Sequence, residues 1–184
     1  MIEDVPLSDG VILRLAAEQD AEALLHAYNR NRDHLKPWEP RRPADFFTLQ
    51  GQALRLKDLL EQKAQGRSMP WVLVDGDQIV GRMTLSGIVR GPWLNADLGY
   101  WVDGDYTGRG LATGAVREVC RIADQELGLH RVAASTLLDN VASQNVLLKA
   151  GFEPYGTADR YLAIDGRWQD HRLFQRILND RPAP

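Results

Sequence analysis

Apolar and polar positions along this chain change rhythm several times, and each change marks an element. Val11-Ile12-Leu13-Arg14-Leu15 is a short β-rich run that reads as a first strand. Between residues 18 and 35 apolar side chains recur at Ala21, Leu24, Leu25 and Tyr28, the spacing of one helix face, and the pattern stops before Pro37. A second helix is predicted over residues 46–65, with Leu49, Ala53, Leu56, Leu60 and Ala64 on one face and Gly66 as its stop. The rhythm then shortens. Trp71-Val72-Leu73-Val74, the turn Asp75-Gly76-Asp77 and residues 78–85 predict a hairpin, and a strand near residues 94–102 extends it into a meander. A helix to about residue 127, a strand over 131–137 and a short helix over 141–150 ended by Gly151 come next. Strands over 152–164 and 168–177 close the chain around Asp165-Gly166. The order β-α-α-β-β-β-α-β-α-β-β predicts an α/β fold in which helices cover a mixed sheet. No repeat or linker divides residues 1–184, so one domain is expected.

Composition narrows the function classes. With 184 residues, 44% hydrophobic and 26% charged, the chain is long enough to bury a full core. The formal net charge of -3 argues against a nucleic-acid backbone binder, because such domains carry a clustered basic excess. Cys120 is the single cysteine and forms no internal disulfide; Val116, Val119, Ile122 and Ala123 around it favour a core thiol over a nucleophile. No apolar run approaches a membrane span, and Met1-Ile2-Glu3-Asp4-Val5-Pro6 lacks the regions of a signal peptide, so a cytoplasmic location is expected. No His, Cys and Asp cluster has metal-ligand spacing, and no metal is expected.

The candidate chemistry begins where the strand Tyr100-Trp101-Val102 meets Asp103-Gly104-Asp105-Tyr106-Thr107-Gly108-Arg109-Gly110, a glycine-rich turn that opens into a helix. Gly108 and Gly110 let the backbone bend tightly and aim its N–H groups at an anion, and the helix adds the positive end of its dipole. A Walker A ending is absent, and Gly108, Gly110 and Ala112 lack the third glycine of the dinucleotide fingerprint. The glycine pair alone therefore fits either a pyrophosphate site or an ordinary strand-to-helix turn.

Further residues resemble the GNAT superfamily of acyl-CoA-dependent N-acyltransferases, and within it the Rim-type N-terminal acetyltransferases of ribosomal proteins. Thr107-Gly108-Arg109-Gly110-Leu111-Ala112 matches the family loop Gln/Arg-x-x-Gly-x-Gly/Ala except at its first position. Asn140-Val141-Ala142-Ser143, followed by Gly151-Phe152, resembles the Rim-type Asn-x-x-Ser helix and the Gly-Phe after it. Three weaker stretches agree with it: His34-Leu35-Lys36-Pro37-Trp38, Asp97-Leu98-Gly99-Tyr100-Trp101-Val102, and Asp165 onward through Gly166, Arg167, Trp168, Gln169, Asp170 and His171. On local grounds Asn140 also serves as a helix N-cap and Ser143 as a first-turn residue.

The resemblance implies acetyl-CoA as cosubstrate, its pyrophosphate on the amides of Gly108, Arg109, Gly110, Leu111, Ala112 and Thr113 with the Arg109 side chain adding charge, and its pantetheine paired with Tyr100, Trp101 and Val102. It places a β-bulge near Leu98 or Gly99. It implies Asp97 as a water-relayed general base, the competing reading being a solvated strand residue. Ser143 is the implied proton donor to the departing thiolate, and Asn140 contacts the thiol arm. Trp38 and Trp168 stand as acceptor-pocket residues or as plain aromatics. The glutamate that some Rim-type enzymes carry before the closing hairpin aligns near Leu162, with Tyr161 and Asp159 as neighbours but not matches. His34, His130 and His171 are alternatives, and His26 sits in a plain helix. The expected acceptor is a primary amine, a ribosomal-protein N-terminus first. A small amine, a succinyl donor and a non-catalytic acyl-CoA-binding module remain as alternatives, and the chain is expected as a monomer or homodimer.

Overall fold

The run Trp71-Val72-Leu73-Val74 alternates no polar residues because it is buried from both sides: Trp71 and Leu73 join one core cluster, Val72 and Val74 another. That double burial organises the molecule. The computed structural model describes residues 2–182. In chain order its elements are β1 (Val5–Pro6), β2 (Ile12–Leu15), α1 (Ala21–Arg30), α2 (Arg32–Leu35), α3 (Leu49–Ala64), β3 (Met69–Asp75), β4 (Gln78–Val89), β5 (Asn95–Val102), α4 (Leu111–Gln125), β6 (Arg131–Leu137), α5 (Val141–Lys149), β7 (Glu153–Ile164) and β8 (Arg167–Ile177). The strands form one sheet of eight in the order β1-β2-β3-β4-β5-β6-β8-β7. Every neighbouring pair is antiparallel except β5 and β6.

One core cluster joins the sheet to α4 through Val116, Val119, Cys120 and Ala123. The other joins it to α1 and α3 through Leu24, Ala27, Tyr28 and Leu56. Cys120 is buried among these side chains, and burial pushes its thiol up to about 11, with Arg176 pulling the other way. A thiol so held is inert as a nucleophile at neutral pH.

Three departures from the predicted pattern have physical causes. The helix expected over residues 18–35 is broken between α1 and α2 at Asn31, whose side chain turns back to donate to the Ala27 carbonyl (3.0 Å) and outward to Asp103. The second helix starts at Leu49 rather than Phe46, because the Thr48 hydroxyl caps it by accepting from Gly51 N–H (3.0 Å). Strand β4 runs to Val89, since Gly87 takes a φ of 58° and lets the strand resume after an irregularity.

Candidate active site

The parallel ladder between β5 and β6 is short. It pairs Asn95 with Arg131, Ala96 with Val132 and Asp97 with Ala133, then ends, although both strands continue to Val102 and Leu137. Beyond Asp97 the strands fork, and the gap between them opens into a cleft of about 1080 Å³. Its walls come from β5, the turn before α4, β6, the start of α5, the α2–α3 loop and β7. The irregularity expected near Leu98 or Gly99 lies one strand over: β5 pairs evenly with β4 from Val102 to Asp97, and the shift falls between Ser86 and Val89. Gly87 is the residue that can adopt the positive φ it requires, and a Cβ there would meet Asp97 Oδ2 at 3.5 Å.

One wall is backbone. Gly108 and Gly110 both take left-handed conformations, φ 76° and 77°, and a Cβ on either would meet nothing within 4 Å, so the turn faces open space. The first bond of α4 runs from Gly114 N–H to the Gly110 carbonyl (2.9 Å), which leaves the N–H groups of Leu111, Ala112 and Thr113 outside the helical ladder. No acidic residue occupies that first turn, and Gly110 provides no side-chain cap. Free amides, a dipole end and empty space together suit a diphosphate. A cosubstrate carrying a pyrophosphate would fit here.

The turn is held from behind by buried Asp103. Its carboxylate accepts from Arg30 Nε (2.8 Å), Asn31 Nδ2 (2.7 Å) and Asp105 N–H (3.0 Å), while Asn31 Oδ1 accepts from Gly104 N–H (2.9 Å). Burial raises the Asp103 carboxyl, but the Asn31, Asp105 and Arg30 donors outweigh it and hold it below the ordinary carboxylate range. His34 Nε2 donates to the Val102 carbonyl (3.2 Å) and Tyr106 donates to Asp75 (2.6 Å), fixing the two ends of the segment.

Across the fork, Asn140 caps α5 by accepting from Ser143 N–H (3.1 Å). The Ser143 hydroxyl then meets the Tyr100 hydroxyl at 2.8 Å, and the Tyr100 hydroxyl lies 3.3 Å from the Ser143 carbonyl. Burial pushes the Tyr100 phenol up to about 12, partly offset by the Ser143 bond, so it stays protonated and available as a donor. This hydroxyl pair spans from β5 to α5.

At the fork itself Asp97 is exposed to the cleft, yet the surrounding walls desolvate its carboxylate and raise its pKa, with the Arg131 charge opposing. Tyr155 and Tyr161 reach the same cleft from β7, each beside a register shift of that strand. Burial raises the Tyr161 phenol, with the Asp97 and Tyr155 charges adding to the effect. Buried His171 packs 5.5 Å from the Tyr161 ring and donates from Nδ1 to the Gln169 carbonyl (3.0 Å), which leaves Nε2 free.

Most of the predicted site residues converge. Trp38, Asp97, Tyr100, Trp101, Val102, Thr107, Gly108, Gly110, Leu111, Ala112, Thr113, Asn140 and Ser143 line the cleft, as do the alternatives His34 and His171. Two of the predicted residues are not brought in. Trp168 pairs with Ala163 on β7 and is 68% exposed, whereas the neighbouring pair of Leu162 and Gln169 turns Leu162 into the cleft; alternation along the hairpin puts Trp168 on the opposite face. The Arg109 guanidinium donates to the Asp105 carbonyl (2.8 Å) and stacks on Tyr106, 5.0 Å from the ring centroid, instead of lining the cleft. His130 is likewise outside the lining, and His26 is an exposed residue beside Glu22. Tyr155 and Arg131 carried no sequence signal; the two register shifts that place Tyr155 and Tyr161 arise from pairing with β8 and leave no motif.

Known proteins match this chain over nearly its whole length. The ribosomal protein uS5-alanine N-acetyltransferase of Escherichia coli is 35% identical over 168 residues, 90% of this chain and 87% of its own. The crystal structure of a ribosomal-protein-S5-alanine acetyltransferase from Vibrio fischeri superposes with a TM-score of 0.93 at 34% identity, covering 98% of this chain and 100% of that one. Mycobacterium smegmatis RimJ in complex with CoA-disulfide superposes with a TM-score of 0.86 at 31% identity, over 91% of this chain and 81% of that one. The family model of the acetyltransferase (GNAT) domain matches residues 11–153, a span that contains the fork, the glycine turn and the Asn140–Ser143 cap. The chain belongs to this family and is an acetyltransferase.

Proposed function

We propose that this protein transfers the acetyl group of acetyl-CoA to the α-amine of a protein N-terminus, a ribosomal protein being the acceptor class suggested by its 35% identical relative. The observation that carries the reading is the fork, where a backbone anion site, a hydroxyl pair and a desolvated carboxylate share one cleft. The thioester supplies the activated acyl group. The residues bind, orient and move protons. Amides of the turn from Gly108 to Thr113 hold the diphosphate, and the unpaired edge of Tyr100, Trp101 and Val102 takes the pantetheine arm. Residues 1–184 serve as one acetyltransferase domain, and a ribosomal-protein acceptor puts the reaction in the cytoplasm.

The acceptor class follows from the cost of freeing the nucleophile. An α-amine with a pKa of about 7.7 to 8.0 loses its proton at neutral pH for roughly 1 kcal/mol, whereas a lysine at about 10.4 requires roughly 4.6. Asp97, its pKa raised by desolvation, is the base that receives the amine proton, directly or through water. On the other side Ser143 donates toward the departing sulfur, and Tyr100 orients the Ser143 hydroxyl. Trp38, Tyr155 and Tyr161 form the acceptor wall.

A thiol-release assay with acetyl-CoA against N-terminal peptides, ribosomal proteins and small amines tests this. Peptides with a free α-amine are expected to release thiol fastest, and succinyl-CoA to be the poorer donor. Release with small amines alone would replace the acceptor assignment.

A further inference from the structure

A second cavity of about 400 Å³ adjoins the cleft on the acceptor side. Leu35, Glu39, Pro40 and Arg42 line both spaces. At the second cavity the α2–α3 loop meets the β7–β8 hairpin: Asp165 N–H donates to the Glu39 carbonyl (3.0 Å), and a Cβ on Gly166 would press against the Arg41 guanidinium at 3.1 Å. Because the two spaces share those four residues as walls, a chain lying along the acceptor wall would reach the second cavity past them.

Its charge runs against that of the protein. The chain as a whole carries a net charge of -3, yet this cavity is lined by Arg32, Lys36, Arg41 and Arg42 against Asp33, Glu39 and Asp165. Glu39 is engaged by Arg42 at 3.2 Å, and among the described residues no carboxylate lies within 4.0 Å of a nitrogen of Arg32, Lys36 or Arg41. The Arg32 guanidinium is stacked 4.0 Å above the Phe47 ring and that of Arg42 4.6 Å above Phe46. Stacking fixes a guanidinium plane while leaving its N–H edge open, the form in which it takes a carboxylate.

We propose that this cavity is a subsite for an acidic side chain of the acceptor, held a few residues beyond the reacting α-amine by Arg32, Lys36 and Arg41. The inference rests on the α-amine reading of the main cleft and adds a sequence preference to it. Because these cations are exposed, each contact is worth only a fraction of a buried pair, and the preference is graded and weakened by salt.

The test is a set of hexapeptides with an invariant N-terminal alanine, in which one glutamate, lysine or alanine is moved through positions two to six. At low ionic strength kcat/KM is expected to rise about fivefold for glutamate over alanine at one position or two adjacent ones, and to fall for lysine there. The double variant Lys36→Glu, Arg41→Glu is expected to reverse that order at the same position while acetylating the all-alanine peptide at the wild-type rate. Equal gains from glutamate at every position would reduce the effect to long-range attraction, and no dependence on glutamate would remove the subsite; either overturns the proposal while leaving α-amine acetylation standing. Turnover of small amines with no turnover of any peptide would overturn the α-amine reading, and the subsite with it.

Discussion

The two walls of the cleft are built by different means. The wall we assign to the cosubstrate is mainly backbone, amides around Gly108 and Gly110 and the free edge of β5 beyond Asp97, with the side-chain cap of α5 at Asn140 beside them. The wall we assign to the acceptor is side chains drawn from distant segments, with Trp38 on the α2–α3 loop, Tyr155 and Tyr161 on β7 and His171 on β8. A backbone site recognises what every reaction of the family shares, because any residue with the right φ has the same N–H group. A side-chain site recognises what differs between acceptors. The asymmetry predicts that damage to the first wall removes activity with all acceptors, whereas damage to the second redistributes it.

The largest expected effect is on the backbone wall. Acetyl-CoA at a hundred times its dissociation constant is expected to stabilise the wild-type fold by about 2.7 kcal/mol, read as a shift of the thermal or urea transition. Gly110→Glu puts bulk and negative charge in the anion site and is expected to abolish that gain and all turnover, whatever the acceptor. A folded Gly110→Glu protein that is still stabilised by acetyl-CoA would break the comparison at its base.

Next comes the carboxylate at the fork. Asp97→Asn is expected to lower kcat/KM about a hundredfold at pH 6 to 7 and progressively less as pH rises through the acceptor's own pKa, where the free amine accumulates without help. Desolvation raises the Asp97 pKa, so the acid limb of the wild-type profile lies above that of an exposed aspartate, and the variant lacks that limb. A loss of equal size at every pH would make Asp97 a positioning residue.

The hydroxyl pair gives a smaller effect with a sharper signature. Ser143→Ala is expected to lower kcat with little change in acetyl-CoA affinity, and Tyr100→Phe to lower it by about tenfold, the scale of the one hydrogen bond that orients the Ser143 donor. Since the hydroxyls lie 2.8 Å apart, the double variant is expected to be no worse than Ser143→Ala alone. Additive losses would separate the two residues.

How the cleft reads from sequence follows the same division. Glycines at 108 and 110 are visible because only a positive φ of 76° or 77° forms that turn cheaply, and Asn140 with Ser143 is visible because a cap has a fixed spacing. The order of strands and helices is legible for the same local reasons, from Trp71-Val72-Leu73-Val74 buried on both faces to Gly151 after α5. Tyr155 and Tyr161 are not, since their placement depends on where β7 slips against β8, a non-local choice. Trp168 shows the cost: adjacent to the correct segment, it points the other way because a strand alternates. Arg109 shows another, its charge spent on the Asp105 carbonyl and the Tyr106 ring.

The smallest expected effect lies behind the turn. Asn31→Ala removes one donor from buried Asp103 and an acceptor from Gly104 N–H, and is expected to cost about 1 to 3 kcal/mol in urea unfolding at pH 7. Because the folded Asp103 pKa is depressed, its contribution is present above the ordinary carboxylate range and is lost as pH falls through the depressed value. The difference between wild type and variant is therefore expected to shrink in acid.

The most direct test of the central claim is the position of the transferred group. A peptide carrying one free α-amine and one internal lysine, incubated at pH 7 with acetyl-CoA and catalytic amounts of protein, is fragmented by tandem mass spectrometry. The acetyl group is expected on the α-nitrogen, with the lysine unmodified; acetylation of the lysine in preference to the α-amine would contradict the account.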